Sequence, residues 1–505
     1  MSTDVIDAVN NMKSRVSGVL SCIACSYQEK RDQLRDTYNQ LLNETIIKIK
    51  NLIPFEEDEK EDENVEVQDQ SITTSIMKTT TKMKTTTTTT EKIVTTKATV
   101  FTTTTFEPNI SYVARRMSQP INQPVDLKNR TEQVFGTSTL LDIVKHHGYN
   151  TEVHTVITPD GYMLTLHRIT SQNKIKGHAK NRTAILQHGL LGSSTDWILL
   201  GPNISLPYML INAGYDVWLT NARGNKFSKA HVTKSIHTAE YWDFSWHEIG
   251  LFDLSSSIDY IREKSFEKSQ IIFIAHSMGA TALMVLLSTS PQYNSILSLV
   301  VLLAPLVFMQ QAKGPLRLLS EFQNLDQIAT LKILGIDMFN PSAAFLKVSR
   351  RKFCREEDKR LCLNTLLLLV DGGKAIENAR KRRNILENLP AGGSVKTILH
   401  FCQLINSGRF EMFDAGSTMN IKKYGTVSPP KYHLREIKLP IALFNSQDDW
   451  LSTAPDIVSL LSYLPNPVTH HIVASSDEFG HFDFVWGAIA PKLVYKFIIE
   501  ILDQY

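Results

Sequence analysis

From residue 151 onward the apolar positions come in short runs separated by amphipathic stretches, and this rhythm governs the fold reading. Residues 151–157 and 162–169 are β-rich and joined by T-P-D-G, so the pair reads as a hairpin whose Pro and Gly suit a tight turn. Six further runs follow: A-I-L-Q (184–187), D-V-W-L (216–219), I-I-F-I (271–274), L-V-V-L-L (299–303), I-A-L-F (441–444) and H-I-V-A (471–474). Short, nearly continuous apolar runs separated by helical segments predict an α/β fold with a mostly parallel sheet covered on both faces. The stretch between Leu303 and Ile441 is too long for one crossover and predicts an inserted helical cap at about 306–430. Inside it, T-L-L-L-L-V (365–370) reads either as a buried cap helix or as an acyl-chain groove or lid face. R-K-R-R at 380–383 reads as a solvated helix face.

The first 130 residues follow another pattern. Leu34, Tyr38, Leu41, Thr45, Ile49 and Leu52 recur at steps of three and four, the stripe of a surface helix or of one strand of a short coiled coil. Pro54 ends it, and residues 56–63 (E-E-D-E-K-E-D-E) form an acidic, solvated run. Between 73 and 105, 18 of 33 residues are Thr, a tract too polar to offset its ordering entropy by burial. The expected organisation is a helical segment over 1–55, a low-complexity linker over 56–130 and a folded domain over 131–505. Its first regular structure is expected near residue 137.

Composition narrows the function classes. Lys plus Arg is 54 against 51 Asp plus Glu, a near-balance unlike that of a nucleic-acid-binding protein. Five Cys in 505 residues exclude a disulfide-dense scaffold and give no C-x-x-C…C-x-x-C zinc pattern. No apolar run approaches the roughly 20 residues of a membrane helix. No cofactor or metal is called for.

The chemistry concentrates at I-I-F-I-A-H-S-M-G-A (271–280). An apolar strand enters a helix through a turn centred on Ser277, a variant of the G-x-S-x-G nucleophile elbow. Such a turn needs small residues two positions either side of the Ser, here Ala275 and Gly279. A Ser hydroxyl needs a base to take its proton, and in this chain order an acid and then a His follow downstream. Asp448 and Asp449 lie just beyond I-A-L-F, and His481 lies after H-I-V-A and before the last helix. One of the two acids orients the imidazole. The oxyanion of an acyl-transfer intermediate needs backbone donors. The amide of Met278 supplies one, and the loop Q-H-G-L-L-G (187–192) supplies the other.

Residues 138–505 resemble the acid lipase family of gastric lipase and lysosomal acid lipase. The resemblance rests on G-Y-N-T-E-V-H-T-V-I-T-P-D-G-Y-M-L-T-L-H-R-I, L-Q-H-G-L-L-G-S-S-T-D-W-I, A-G-Y-D-V-W-L-T-N-A-R-G-N, Y-W-D-F-S-W-H-E-I-G-L-F-D-L, P-A-G-G-S-V and G-H-F-D-F-V-W-G. It implies an α/β-hydrolase core with a helical cap and lid, hydrolysing neutral-lipid esters at a lipid interface reached by peripheral contact. By position, Ser277 resembles the nucleophile, His481 the base, and Leu190 and Met278 the oxyanion donors. Asp449 resembles the acid, because the family's acid directly precedes a large apolar residue and Leu, here Trp450-Leu451. Cys354 and Cys362 resemble the family's cap disulfide, which leaves Cys402 free.

Two departures accompany the resemblance. The family elbow usually reads G-H-S-Q-G, whereas this chain reads A-H-S-M-G, which keeps open a catalytically silent lipid carrier or a small-ester esterase on the same fold. Family members begin with a secretory signal. Met1 opens no clear one, while a start at Met12 gives M-K-S-R and a short apolar stretch. A secreted or lysosomal location is implied, with N-x-S/T sequons at Asn43, Asn109, Asn129, Asn181 and Asn203 as weak support.

Overall fold

Residues Thr137–His146 form helix α1, followed by strands β1 (Tyr149–Ile157) and β2 (Tyr162–Ser171). The T-P-D-G segment closes this antiparallel hairpin. The amide of Gly161 donates to the Thr158 carbonyl at 2.9 Å, and the Tyr162 amide donates to Thr158 Oγ1 at 2.9 Å. Gly161 sits at φ +94, which admits Gly at no steric cost, and a Cβ there would meet Val232 Cγ2 at 2.7 Å. The computed structural model describes residues 137–171, 182–265, 269–325, 337–339, 385 and 388–505. The stripe from Leu34 to Leu52, the acidic and Thr-rich runs, Asn129, Asn181, Cys354, Cys362, residues 365–370 and R-K-R-R at 380–383 all lie outside them.

Next come β3 (Arg182–Gln187), α2 (Leu206–Asn212), β4 (Asp216–Leu219), the two-residue β5 (Ala230–His231), α3 (Ser255–Lys264) and β6 (Gln270–His276). Helix α4 (Met278–Thr289) leads to β7 (Leu297–Leu303). The insertion then contributes α5 (Gly314–Leu325), α6 (Val395–Ser407) and α7 (Ser417–Tyr424) before β8 (Ile441–Ser446). Helix α8 (Ala454–Tyr463), β9 (Pro467–Val473) and α9 (Lys496–Leu502) finish the chain. The sheet order is β1-β2-β4-β3-β6-β7-β8-β9, with β5 paired to β2. All pairs from β4 to β9 are parallel, and those of β2 are antiparallel.

This is the α/β-hydrolase core predicted from the apolar runs, with a helical insertion between β7 and β8. The runs in β3, β6, β7 and β8 are buried almost throughout, because parallel strands are covered on both faces. Helix α4 is buried at every position from Met278 to Ser288, so it has no polar face and behaves as a core element. Helix α6 is one-sided by contrast. Ser394 caps its start by accepting from the Lys396 amide, and Gly408 ends it in the left-handed conformation.

Strand β9 begins four residues earlier than the H-I-V-A run. Its ladder with β8 pairs Ala442 with Thr469 and Ser446 with Val473. As an edge strand it carries polar Thr469, His470 and His471, and Val473 is its one buried residue. The order also sets the place of the site. The chain steps from β3 outward to β4 and then returns to the other side of β3 as β6. The carboxyl ends of β3 and β6, where such a reversal occurs, are where the loop after β3 and the turn at Ser277 meet.

Candidate functional site

Strand β6 ends at His276, and the chain turns into α4 through Ser277 at φ 55, ψ −121, a conformation disfavoured for any residue with a side chain. The Ser277 amide donates to the Leu303 carbonyl at 2.9 Å, which ties the turn to the end of β7. Gly279 is fixed by space. A Cβ there would lie 2.7 Å from the His188 carbonyl oxygen and 2.9 Å from that of Gln187. Ala275 is fully buried between Gln187 and Leu302 in the neighbouring strands, where its methyl is accommodated. The departure from Gly at this position therefore leaves the turn intact.

The elbow brings three distant residues into line. Ser277 Oγ lies 2.8 Å from His481 Nε2, and His481 Nδ1 lies 2.7 Å from Asp449 Oδ2. The second oxygen of Asp449 accepts from the amides of Leu451 at 2.8 Å and Ser452 at 2.9 Å. All three side chains are buried. With Asp449 accepting at Nδ1–H, the imidazole presents Nε2 as a base toward the Ser277 hydroxyl. Asp448 points elsewhere, its Oδ1 accepting from Ser475 Oγ at 2.6 Å.

The loop after β3 packs against the elbow. A Cβ on Gly189 would meet Ser277 Cβ at 3.1 Å and His276 Nδ1 at 3.0 Å, so only a residue without one brings Leu190 this close. His188 shapes the loop. Its Nε2 accepts from the Ala222 amide at 3.1 Å, and its Nδ1 donates to the Gly189 carbonyl at 2.8 Å. Burial lowers the His188 pKa to about 4, in keeping with this neutral tautomer. The Met278 amide opens α4, where no intrahelical acceptor exists for it. Leu190, next to Gly189, and Met278, next to Ser277, thus lie beside the Ser277 turn on two different elements.

Two further residues join the site that the sequence analysis gave no role. His276 Nε2 donates to the His481 carbonyl at 3.0 Å, with the two rings 5.0 Å apart. Burial holds its pKa well below the usual value. Asp196 lies inside the turn that carries Leu190, its Oδ2 accepting from the Ser193 amide at 3.0 Å. Asn203, the one expected glycosylation position within the described residues, is exposed in a turn after the Ser194–Trp197 helix. Cys402 is free and buried in α6, and burial pushes its thiol up to about 12. Among the described residues no His, Cys, Asp and Glu group could hold a metal, and no helix is long and apolar enough to cross a membrane.

Known proteins resemble the chain over the same region. The family described as the partial alpha/beta-hydrolase lipase region matches residues 140–201, and the alpha/beta hydrolase fold family matches residues 185–488. Similar proteins include Lipase 3 of Drosophila melanogaster, 37% identical over 72% of this chain and 92% of that protein. Lipase member M of Mus musculus is 35% identical over 72% of this chain and 85% of its own length. Gastric triacylglycerol lipase of Homo sapiens is 33% identical over 73% of this chain and 92% of its own.

Proposed function

The chain belongs to the lipase-family α/β-hydrolases, serine-type hydrolases of carboxylic esters, and from that premise we propose that it cleaves neutral-lipid esters through Ser277, His481 and Asp449. The observation that carries this reading is the unbroken hydrogen-bonded line from Ser277 Oγ through His481 to Asp449, buried along its length. In the proposed cycle His481 Nε2 takes the Ser277 proton as Oγ attacks the acyl carbonyl. Asp449 holds the Nδ1–H tautomer and stabilises the imidazolium. The charge on the carbonyl oxygen falls to the amides of Leu190 and Met278. His481 then returns its proton to the leaving alcohol. Water repeats the sequence on the acyl-enzyme and releases the fatty acid.

The human gastric relative acts on triacylglycerol by its name, and that substrate class suits a buried site in a chain with a helical insertion between β7 and β8. The chain would reach its substrate by peripheral contact with a lipid surface, in a secreted or lysosomal setting. The elbow change from Gln to Met leaves the backbone donor in place, which favours an enzyme over a silent carrier.

Incubation with a fluorophosphonate probe, beside a series of esters of increasing acyl length, tests the proposal. Labelling at Ser277 with turnover that rises toward long-chain glycerides is expected. No labelling would identify a lipid carrier, and turnover confined to the shortest esters would identify a small-ester esterase.

A further inference from the structure

The loop that carries Leu190 is folded around a carboxyl group. Gly192 donates its amide to the Gly189 carbonyl at 3.2 Å, and Ser193 donates its own to Asp196 Oδ2 at 3.0 Å. The carboxyl fills the inside of this turn so closely that a Cβ on Gly192 would lie 2.2 Å from Oδ2. The Asp196 carbonyl accepts from Trp486 Nε1 at 3.1 Å, so the same residue also clamps the segment that follows His481. Asp196 therefore touches both structures that flank Ser277.

Its other oxygen tells against a permanent charge. Asp196 is 6% exposed, and Oδ1 is buried without a hydrogen-bond partner among the described residues. It borders a cavity of about 10 Å3 lined by His188, Leu190, Trp197, His276, Phe482 and Trp486, at the lower limit for one water. The titratable groups facing it are His188 at the start of its loop, His276 at the end of β6 and Lys226 after β4. Phe482, Val485 and Trp486 on the remaining side carry no charge. The Lys226 ammonium is engaged by Asn388 Oδ1 at 2.6 Å, and no ion pair joins it to Asp196 among the described residues. A carboxylate buried in this way has one amide to oppose its desolvation, whereas a neutral carboxyl fits without that penalty.

We propose that Asp196 is a positioning residue that works in its neutral form, holding the oxyanion loop in register while protonated and loosening it on ionisation. The inference rests on the reading of Leu190 and Ser277 given above. Burial pushes the Asp196 carboxyl up to about 7, against the opposing pull of the Ser193 amide and Lys226. Burial holds His188 neutral above about pH 4 and keeps His276 well below the usual imidazole range, so of the groups on this cavity the carboxyl is the one left to titrate toward neutrality. Ionisation drives the carboxyl toward water. Because Gly192 and Ser193 are wrapped on it, the displacement carries Leu190 away from Ser277. The loss falls on the transition state, and therefore on kcat.

The test uses the full chain and a soluble short-chain ester, with kcat and KM measured from about pH 4 to about pH 9. Each profile is normalised to its own maximum. In the wild type, kcat should fall on the alkaline side with a midpoint near 7 while KM stays flat. Asp196→Asn, which keeps an acceptor for Ser193 but cannot ionise, should move that midpoint up by about one pH unit or more. Lys226→Met removes the cation that favours ionisation and should move the midpoint in the same direction while leaving the loop sequence untouched. It decides the matter if Asp196→Asn does not fold. Profiles of both variants that superimpose on the wild type overturn the proposal, as does a pH effect confined to KM. A wild type that is neither labelled by fluorophosphonate nor active at any pH would instead overturn the enzyme assignment itself.

Discussion

The ring of His276 donates a hydrogen bond from Nε2 to the backbone carbonyl of His481 at 3.0 Å, across 205 positions of sequence. The residue immediately before the proposed nucleophile thus holds the main chain of the proposed base. His276 ends β6 and His481 lies in the segment after β9. The contact fixes one turn relative to the other, so the 2.8 Å approach of Ser277 to His481 depends on a residue that takes no proton in the cycle.

His276→Phe keeps a flat ring, somewhat larger than imidazole, and removes the donor. We expect kcat to fall by about tenfold to a hundredfold, since a misplacement on the order of 1 Å carries that cost. KM should change little, and thermal unfolding should stay close to the wild type. Steady-state kinetics with a soluble ester reads the split. Unchanged kcat in a folded His276→Phe protein would show that the His481 turn holds itself.

The two neighbouring acids should separate sharply. Asp449 alone contacts His481, and two backbone amides fix its other oxygen, whereas Asp448 is tied to Ser475. Asp449→Asn is expected to lower kcat by roughly three to four powers of ten, because an amide favours the wrong imidazole tautomer. Asp448→Asn should stay within about threefold, as expected for a partly exposed polar swap. Equal and mild effects would place the orienting acid elsewhere.

The strands were legible in the sequence wherever burial on both faces forced continuous apolar runs, as in I-I-F-I and L-V-V-L-L. The start of β9 was not, because an edge strand tolerates T-H-H on its open positions. Ser277 was legible because strand, small neighbours and helix are consecutive residues. The choice between Asp448 and Asp449 needed the family pattern, since both sit in one turn with the same chemistry. His276 and Asp196 were assigned no role from the sequence, although the S-x-x-D spacing of Ser193 and Asp196 is that of a helix cap. Their long-range contacts are with His481 and Trp486, 205 and 290 residues away, and no spacing rule within one segment encodes those.

Asp196 also makes a stability prediction that is separate from rate. Its folded-state pKa of about 7 lies above the ordinary 3.8, so folding favours the protonated form. The resulting stabilisation is fully present below about pH 4 and is lost as pH rises through about 7. Asp196→Asn has no such titration. The melting temperature of the variant, relative to the wild type, should therefore rise steadily between these two pH values, by a few degrees in all. A constant offset across that window would mean that the carboxyl is equally ionised in both states.

The boundary of the folded region can be located by truncation. Helix α1 packs onto the sheet through Leu140 and Val144, both fully buried, and leads directly into Tyr149 at the start of β1. Each such side chain is worth about 1.5–3 kcal/mol when removed from water. The acidic and Thr-rich runs before residue 106 lack the apolar content to contribute a core of their own. A protein comprising residues 131–505, expressed behind a heterologous secretion signal, should unfold close to the temperature of the full chain and hydrolyse a short-chain ester at a similar rate. One comprising residues 148–505 lacks α1 and exposes the surface that Leu140 and Val144 cover, so it should melt several degrees lower or fail to accumulate. Calorimetry and ester turnover on the two proteins make the comparison. If the longer one is insoluble, or inactive while the full chain is active, the first 130 residues are an integral part of the fold and the boundary proposed at 131 is wrong.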